Sequence, residues 1–146
     1  IYEENMLKKC FQMVESGKVL LPEKVYVASS PSATDVNLVD VEKVPQEMMI
    51  LDLEFKSEPV SKYSNFLWNG PLGIFEIDLF SNGTKQLIDF LSQPDRRVIA
   101  GGGETIFAIN KFSEKKNFHY VSTAGGAFLE YLSGKSLPSI EALELE

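Results

Sequence analysis

Three loops of this 146-residue chain close an apolar run with glycine: Trp68-Asn69-Gly70-Pro71 follows Phe66-Leu67, Gly101-Gly102-Gly103 follows Val98-Ile99-Ala100, and Ser122-Thr123-Ala124-Gly125-Gly126 follows Tyr120-Val121. Without a Cβ, backbone at Gly101 to Gly103 and at Gly125-Gly126 can approach a ligand closely. Its N–H groups then point outward from the start of a helix, where the dipole favours an anion. A phosphate is the guest such loops suit. One glycine loop serves tight turning as readily as binding, whereas two in series carry more weight. The spacing excludes the commoner phosphate loops. Gly-x-x-x-x-Gly-Lys-Ser/Thr is absent, and Ile106 stands where Gly-x-Gly-x-x-Gly would need its last glycine, which disfavours a nicotinamide dehydrogenase.

Other chemistries find little support. Cys10 is the only cysteine, so neither an internal disulfide nor a cysteine-based zinc site is available, which suits a reducing cytosol. His119 is the only histidine and has no neighbouring base partner, so it reads as structural or solvent-facing. Trp68, beside Phe66 and Leu67, reads as core, and Arg96-Arg97 as a helix end and chain turn. The formal charge of −7, from 14 Lys+Arg against 21 Asp+Glu, argues against a nucleic-acid surface. An anionic substrate therefore needs locally placed backbone donors.

The elements around the loops follow from periodicity. Met6, Leu7, Cys10, Phe11 and Val14 predict an amphipathic helix from Glu3 to Glu15, ended by Gly17. Val19-Leu20-Leu21 and Val25-Tyr26-Val27 read as a strand with an extended continuation around Pro22, and 29–35 as a polar loop. Met48 to Leu53 and Phe66-Leu67-Trp68 are further strands. Leu87, Ile88 and Leu91 predict a helix from Thr84 to Leu91, and helical stretches follow both later glycine loops. Repetition of strand, loop and helix implies an α/β chain with a mostly parallel sheet and right-handed crossovers. In such a sheet the loops leave from one edge, on strands about 4.8 Å apart, and can converge on one ligand. No apolar run approaches the roughly 20 residues of a membrane-spanning helix. With 44% hydrophobic and 24% charged residues the composition is that of a globular protein. Ile1-Tyr2-Glu3-Glu4 carries neither an initiator Met nor a signal pattern and reads as a cut inside a longer protein.

Taken in order, Trp68-Asn69-Gly70-Pro71-Leu72-Gly73-Ile74-Phe75-Glu76, Gly83-Thr84-Lys85, Gly101-Gly102-Gly103-Glu104-Thr105, Val121-Ser122-Thr123-Ala124-Gly125-Gly126-Ala127 and Gly134-Lys135-Ser136-Leu137-Pro138 resemble the motifs of phosphoglycerate kinase. Leu20-Leu21-Pro22 and Met49-Ile50-Leu51-Asp52 resemble weaker landmarks of the same family. The resemblance implies that 1–146 is a partial C-terminal, nucleotide-binding lobe, part of a doubly wound, mostly parallel Rossmann-like sheet with helices on both faces. It also implies a glycolytic kinase of the cytoplasm, monomeric in its intact form, with no nucleic-acid or membrane partner. That kinase transfers a phosphoryl group between 1,3-bisphosphoglycerate and ADP, giving 3-phosphoglycerate and ATP, with Mg2+ accompanying the nucleotide.

The implied roles fall on Asn69, Gly70, Gly73 and Ile74 lining the nucleotide, Glu76 at the ribose hydroxyls and Leu51 at the adenine. Gly101, Gly102, Gly103 and Thr105 would lie at the phosphates, Glu104 at the magnesium, and Thr123, Gly125 and Gly126 around the transferring phosphoryl group. Glu104 stands where the family usually has Asp, and Ala124 where it usually has a glycine, whose freedom to take positive φ alanine lacks. The segment between Asp52 and Trp68 is shorter than in typical members. The family's N-terminal lobe and the first half of its C-terminal lobe are absent from this sequence, so the chain alone is expected to be inactive. The absent lobe is expected to contact Gly134 to Leu143. A diverged, non-catalytic nucleotide-binding or structural relative is the rival reading.

Overall fold

The computed structural model describes residues 4–144. A 3-10 turn at Glu4–Met6 leads into α1 (Leu7–Glu15), which ends as expected where Gly17 takes φ +68° and donates its N–H to the Val14 carbonyl at 3.1 Å. Glu3, the expected helix start, lies outside the described residues. None of the residues of α1 is buried, and Phe11 on its apolar stripe is 66% exposed.

The chain then builds two small sheets where the sequence predicts one. β1 (Lys24–Ala28), β2 (Asn37–Asp40) and β3 (Met49–Leu53) form an antiparallel sheet in the order β2-β1-β3. β4 (Asn65–Asn69), β5 (Arg97–Gly101) and β6 (Tyr120–Ser122) form a parallel sheet in that order. The expectation of one mostly parallel sheet is thus corrected for the first third of the chain. A short apolar run such as Met49 to Leu53 suits either strand direction, and here β1 supplies the partner with both neighbours antiparallel to it. Val19-Leu20-Leu21 is no strand: Leu20 and Leu21 are exposed, and regular pairing begins only at Lys24, beyond Pro22, which has no N–H to donate.

The crossovers of the parallel sheet are helical. α2 (Asn82–Leu91) joins β4 to β5, α3 (Gly103–Phe112) joins β5 to β6, and α4 (Gly125–Leu132) and α5 (Pro138–Glu144) follow β6. Burial alternates along β5, where Val98 and Ala100 are fully buried and Ile99 between them is exposed. Val98 and Ala100 pack with Trp68, Phe75, Phe118, Ile88 and Leu91 of α2, and Ala108 and Ile109 of α3. Burying a side chain such as Ile88 or Ile109 contributes about 1.5–3 kcal/mol. Both helices serve this one core. Across the opposite face Leu67, Ile99 and Tyr120 stand in register and exposed, and α4 reaches only the top of it, where the Phe128 ring lies over Gly101. The expectation of helices on both faces is therefore met among the described residues only at that upper end.

Candidate functional site

The parallel register places the last residues of all three strands at one level: Asn69 pairs with Gly101, and Gly101 with Ser122. The three glycine loops therefore leave the same edge, as the repeated strand and loop pattern predicts. They are also bonded to one another. Asn69 Nδ2 donates to the Gly101 carbonyl at 3.0 Å, and the Gly70 N–H donates to Thr105 Oγ1 at 2.8 Å. The third loop closes by contact, for a Cβ on Gly125 would come within 3.2 Å of Gly102 Cα. Gly102 itself takes φ +98°, a conformation that an L side chain would strain, immediately before the first residue of α3. Below the loops, Trp68 Nε1 donates to the Gly70 carbonyl at 2.7 Å, so this core indole also braces the first loop.

Two helix N-termini open at this edge, α3 at Gly103 and α4 at Gly125. Neither has a side-chain cap bond, so the leading N–H groups that capping side chains would occupy are free for an anion. Gly103, Gly126, Glu104 and Thr123 are exposed there, while Thr105 is buried, with its hydroxyl already accepting from Gly70. Thr105 thus ties two loops together, a role its motif position did not indicate. Ala124 takes φ −88°, which alanine adopts freely, so it carries no left-handed strain here. Its N–H donates to Ser122 Oγ at 3.3 Å.

A second arm lies between β4 and α2. Gly73 takes φ +86° and sits against β3 so closely that a Cβ would collide with the Asp52 side chain and come within 2.7 Å of the Leu51 carbonyl. That carbonyl accepts the Ile74 N–H at 2.9 Å. Leu51 itself, assigned to the adenine by resemblance, is 3% exposed and packs with Ala28, Phe80 and Ile74. Its side chain belongs to the core and supports Ile74. Glu76 is exposed on the following turn, which Lys111 of α3 grips through the carbonyls of Phe75 and Glu76.

Asp52 is the residue that sequence reasoning passed over, apart from its place in a landmark. It is buried, and its carboxylate accepts the Gly83 N–H at 2.9 Å through Oδ2 and the Leu53 N–H at 2.9 Å through Oδ1. Burial raises its pKa above the ordinary value near 3.8, against the opposing pull of the N–H groups of Gly83, Leu53 and Asn82. The available signal was one carboxylate inside the apolar run Met48 to Leu53.

The residues read as structural remain so. His119 is exposed, with Nε2 3.4 Å from the Arg97 guanidinium. Arg96 stacks 3.8 Å from the Phe90 ring centroid and donates to the Tyr63 carbonyl at 3.0 Å, holding the turn before β5. An apolar cavity of about 360 Å³ lies between Leu20, Leu21, Phe55, Val60 and Leu72, with no residue of the glycine loops in its wall. Among the described residues no three acidic, His or Cys side chains gather to hold a metal ion, and no helix is long and apolar enough to cross a membrane. Glu104 stands as a lone hard-oxygen donor beside open N–H groups, and such a donor set fits a magnesium ion carried in on phosphates.

Known proteins resemble the chain along nearly its whole length. The family model described as phosphoglycerate kinase matches residues 1–135. The phosphoglycerate kinase of Francisella philomiragia subsp. philomiragia is 41% identical over 155 residues, covering 99% of this chain and 40% of that protein. That of Psychrobacter sp. (strain PRwf-1) is 38% identical over 161 residues, again covering 99% of this chain and 40% of the relative. Both matches run longer than the 146-residue chain, so gaps open in this sequence. The solved structure of phosphoglycerate kinase from Coxiella burnetii superposes with a TM-score of 0.85 at 34% identity, over 95% of this chain and 39% of that one. The chain spans about 40% of the length of the curated relatives it matches.

Proposed function

Because the chain belongs to the phosphoglycerate kinase family, we propose that it is the nucleotide-binding portion of a glycolytic kinase. The intact enzyme transfers a phosphoryl group from 1,3-bisphosphoglycerate to ADP, yielding 3-phosphoglycerate and ATP, and runs the reverse reaction. It works in the cytoplasm as a monomer, and its partners are these small molecules. In it the present sheet is part of a doubly wound lobe whose further helices cover the open row of Leu67, Ile99 and Tyr120. The observation that carries the reading is the alignment of Asn69, Gly101 and Ser122, which brings three glycine loops and two uncapped helix starts to one edge.

Phosphoryl transfer asks a protein for positioning and for donors aimed at developing charge, more than for covalent groups. At this edge the N–H groups of Gly101 to Gly103 meet the nucleotide phosphates. Those of Gly125 and Gly126, with the Thr123 hydroxyl, surround the group in transit. Glu104 would hold the magnesium that accompanies the nucleotide, and the ion would supply charge neutralisation to the phosphates. Thr105 fixes the phosphate loop to Gly70, while Asn69, Gly73 and Ile74 line the nucleoside and Glu76 accepts from the ribose hydroxyls. The family's basic phosphoglycerate site lies in residues this sequence does not contain, so the chain alone binds nucleotide without turnover.

Titration of the chain with Mg-ADP, followed by amide chemical shifts, tests the site. Perturbations are expected at Asn69–Gly70, 101–105 and 123–126. Perturbations confined to the opposite edge, at Asn65, Arg97 and Tyr120, would refute it. Fusion in frame to the absent lobes of a relative, followed by assay of ADP phosphorylation, separates an active kinase from a diverged, non-catalytic relative.

A further inference from the structure

Lys111, in the last turn of α3, is used by none of the roles above, yet every N–H of its ammonium has an acceptor. Nζ donates to the Phe75 carbonyl at 3.1 Å, to the Glu76 carbonyl at 3.0 Å and to Asp78 Oδ1 at 3.1 Å. An ammonium carries three donors and no acceptor, so the group is saturated by one four-residue turn. Its side chain is 27% exposed and its ammonium lies 5.1 Å from the Phe112 ring centroid. The same turn is held from below, where the fully buried Phe75 ring meets Phe107 and Phe112 of α3 edge-on, at 5.4 and 6.3 Å. The turn is thus bonded to α3 on both sides of Glu76, while the Glu76 carboxylate itself is exposed and has no partner among the described residues.

An ordinary surface ion pair needs only Asp78. The two carbonyls are different, because those of Phe75 and Glu76 flank the Glu76 Cα, and drawing both oxygens onto one cation fixes the backbone orientation there. We propose that Lys111 is a positioning residue that sets the Glu76 carboxylate for the ribose hydroxyls of the nucleotide and so gives the site its selectivity for a ribose. This rests on the reading of Glu76 given above. Because α3 begins at the glycine loop and ends at Lys111, one rigid helix of 10 residues then spaces the phosphate end of the site from its ribose end.

The test is a double-mutant cycle on the full chain, with Mg-ADP and Mg-2′,3′-dideoxy-ADP as probes. The unsubstituted chain is expected to favour ADP, and both Lys111→Met and Glu76→Gln to lower ADP affinity about tenfold while leaving dideoxy-ADP unchanged. The double variant is expected to lose no more than either single one. Asp78→Asn keeps both carbonyl bonds and is expected to keep the preference, which also provides a folded control should Lys111→Met unfold. Equal losses for both nucleotides, additive losses in the double variant, or loss of the preference in Asp78→Asn would overturn the proposal. Binding of both nucleotides with equal affinity by the unsubstituted chain would instead overturn the ribose role of Glu76, and the proposal with it.

Discussion

The carboxylate of Asp52, on β3 of the antiparallel sheet, accepts the N–H of Gly83, in the first turn of α2 on the parallel side, at 2.9 Å. A buried acid thus joins the two halves of the molecule. Three glycine and backbone contacts crowd around it: Gly73 and Gly83 both lie too close for a Cβ, and the Leu51 carbonyl beside it holds Ile74.

Asp52→Ala is expected to destabilise the chain by about 3 kcal/mol, because it leaves one buried and one partly buried N–H donor without the carboxylate. The pH dependence has a defined sign. Burial raises the folded-state pKa above the ordinary value near 3.8, so the folded chain holds this proton more tightly than the unfolded one. Its contribution to stability is present below 3.8 and is lost as pH rises through the raised value. Asp40 and Asp78 run the other way, since hydrogen bonds from Lys43 and Lys111 lower their values, and their contribution is lost on acidification. The difference in urea stability between the unsubstituted chain and Asp52→Asn removes those shared terms. That difference should fall from pH 4 to pH 7, and a flat or rising difference would refute the assignment.

The parallel half was legible because each of its strands is an apolar run stopped by glycine and followed by residues of helical period, at Ala100–Gly101 and again at Val121 to Gly125. The antiparallel half was not. A register shift between Tyr26 and Val27 leaves Val27 and Ala28 buried in succession on β1, and Leu51 and Asp52 buried in succession at the same shift on β3, so the alternation that marks such strands is broken. The partner that explains Asp52 lies 31 residues away, and no local pattern connects them. The glycine loops could be named from sequence, but the buried side of Thr105 and the grip of Lys111 depend on tertiary contacts of the same kind.

Neighbouring glycines should respond differently to the same methyl. Gly125→Ala places a Cβ 3.2 Å from Gly102 Cα, where only backbone can give way, whereas Gly126→Ala meets no atom within 4 Å. Gly125→Ala is expected to weaken Mg-ADP binding by roughly tenfold or more with shifts at Gly102, and Gly126→Ala to leave stability within about 0.5 kcal/mol. Calorimetric titration and thermal unfolding of the two variants check this. The reverse ranking would mean that the second and third loops do not share a ligand.

Glu104→Ala is expected to weaken ADP binding when magnesium is present and to be neutral or mildly favourable in EDTA. With the ion absent, a carboxylate near phosphates only repels them. Equal losses in both conditions would assign Glu104 a structural role.

The row Leu67, Ile99, Tyr120 and the apolar stripe of α1 leave this chain with exposed hydrophobic surface that a net charge of −7 offsets only in part. Sedimentation is expected to show concentration-dependent self-association, reduced by Leu67→Lys. A monomer with a sharp two-state unfolding transition would contradict this.

Each sheet is made from one contiguous stretch, residues 24–53 for the antiparallel sheet and 65–122 for the parallel one. The ladder pairs of each sheet lie wholly within its own stretch, so either can form without waiting for the other. Between them run a few bonds: Gly83 to Asp52, Ile74 to Leu51, and Asn82 to the Tyr26 hydroxyl. A fluctuation that opens this seam would free Gly73 and Ile74 while the three glycine loops stay tied to one another. A nucleotide spanning both arms would then act as a staple across the seam, slowing amide exchange in β3, a strand whose side chains need not touch it.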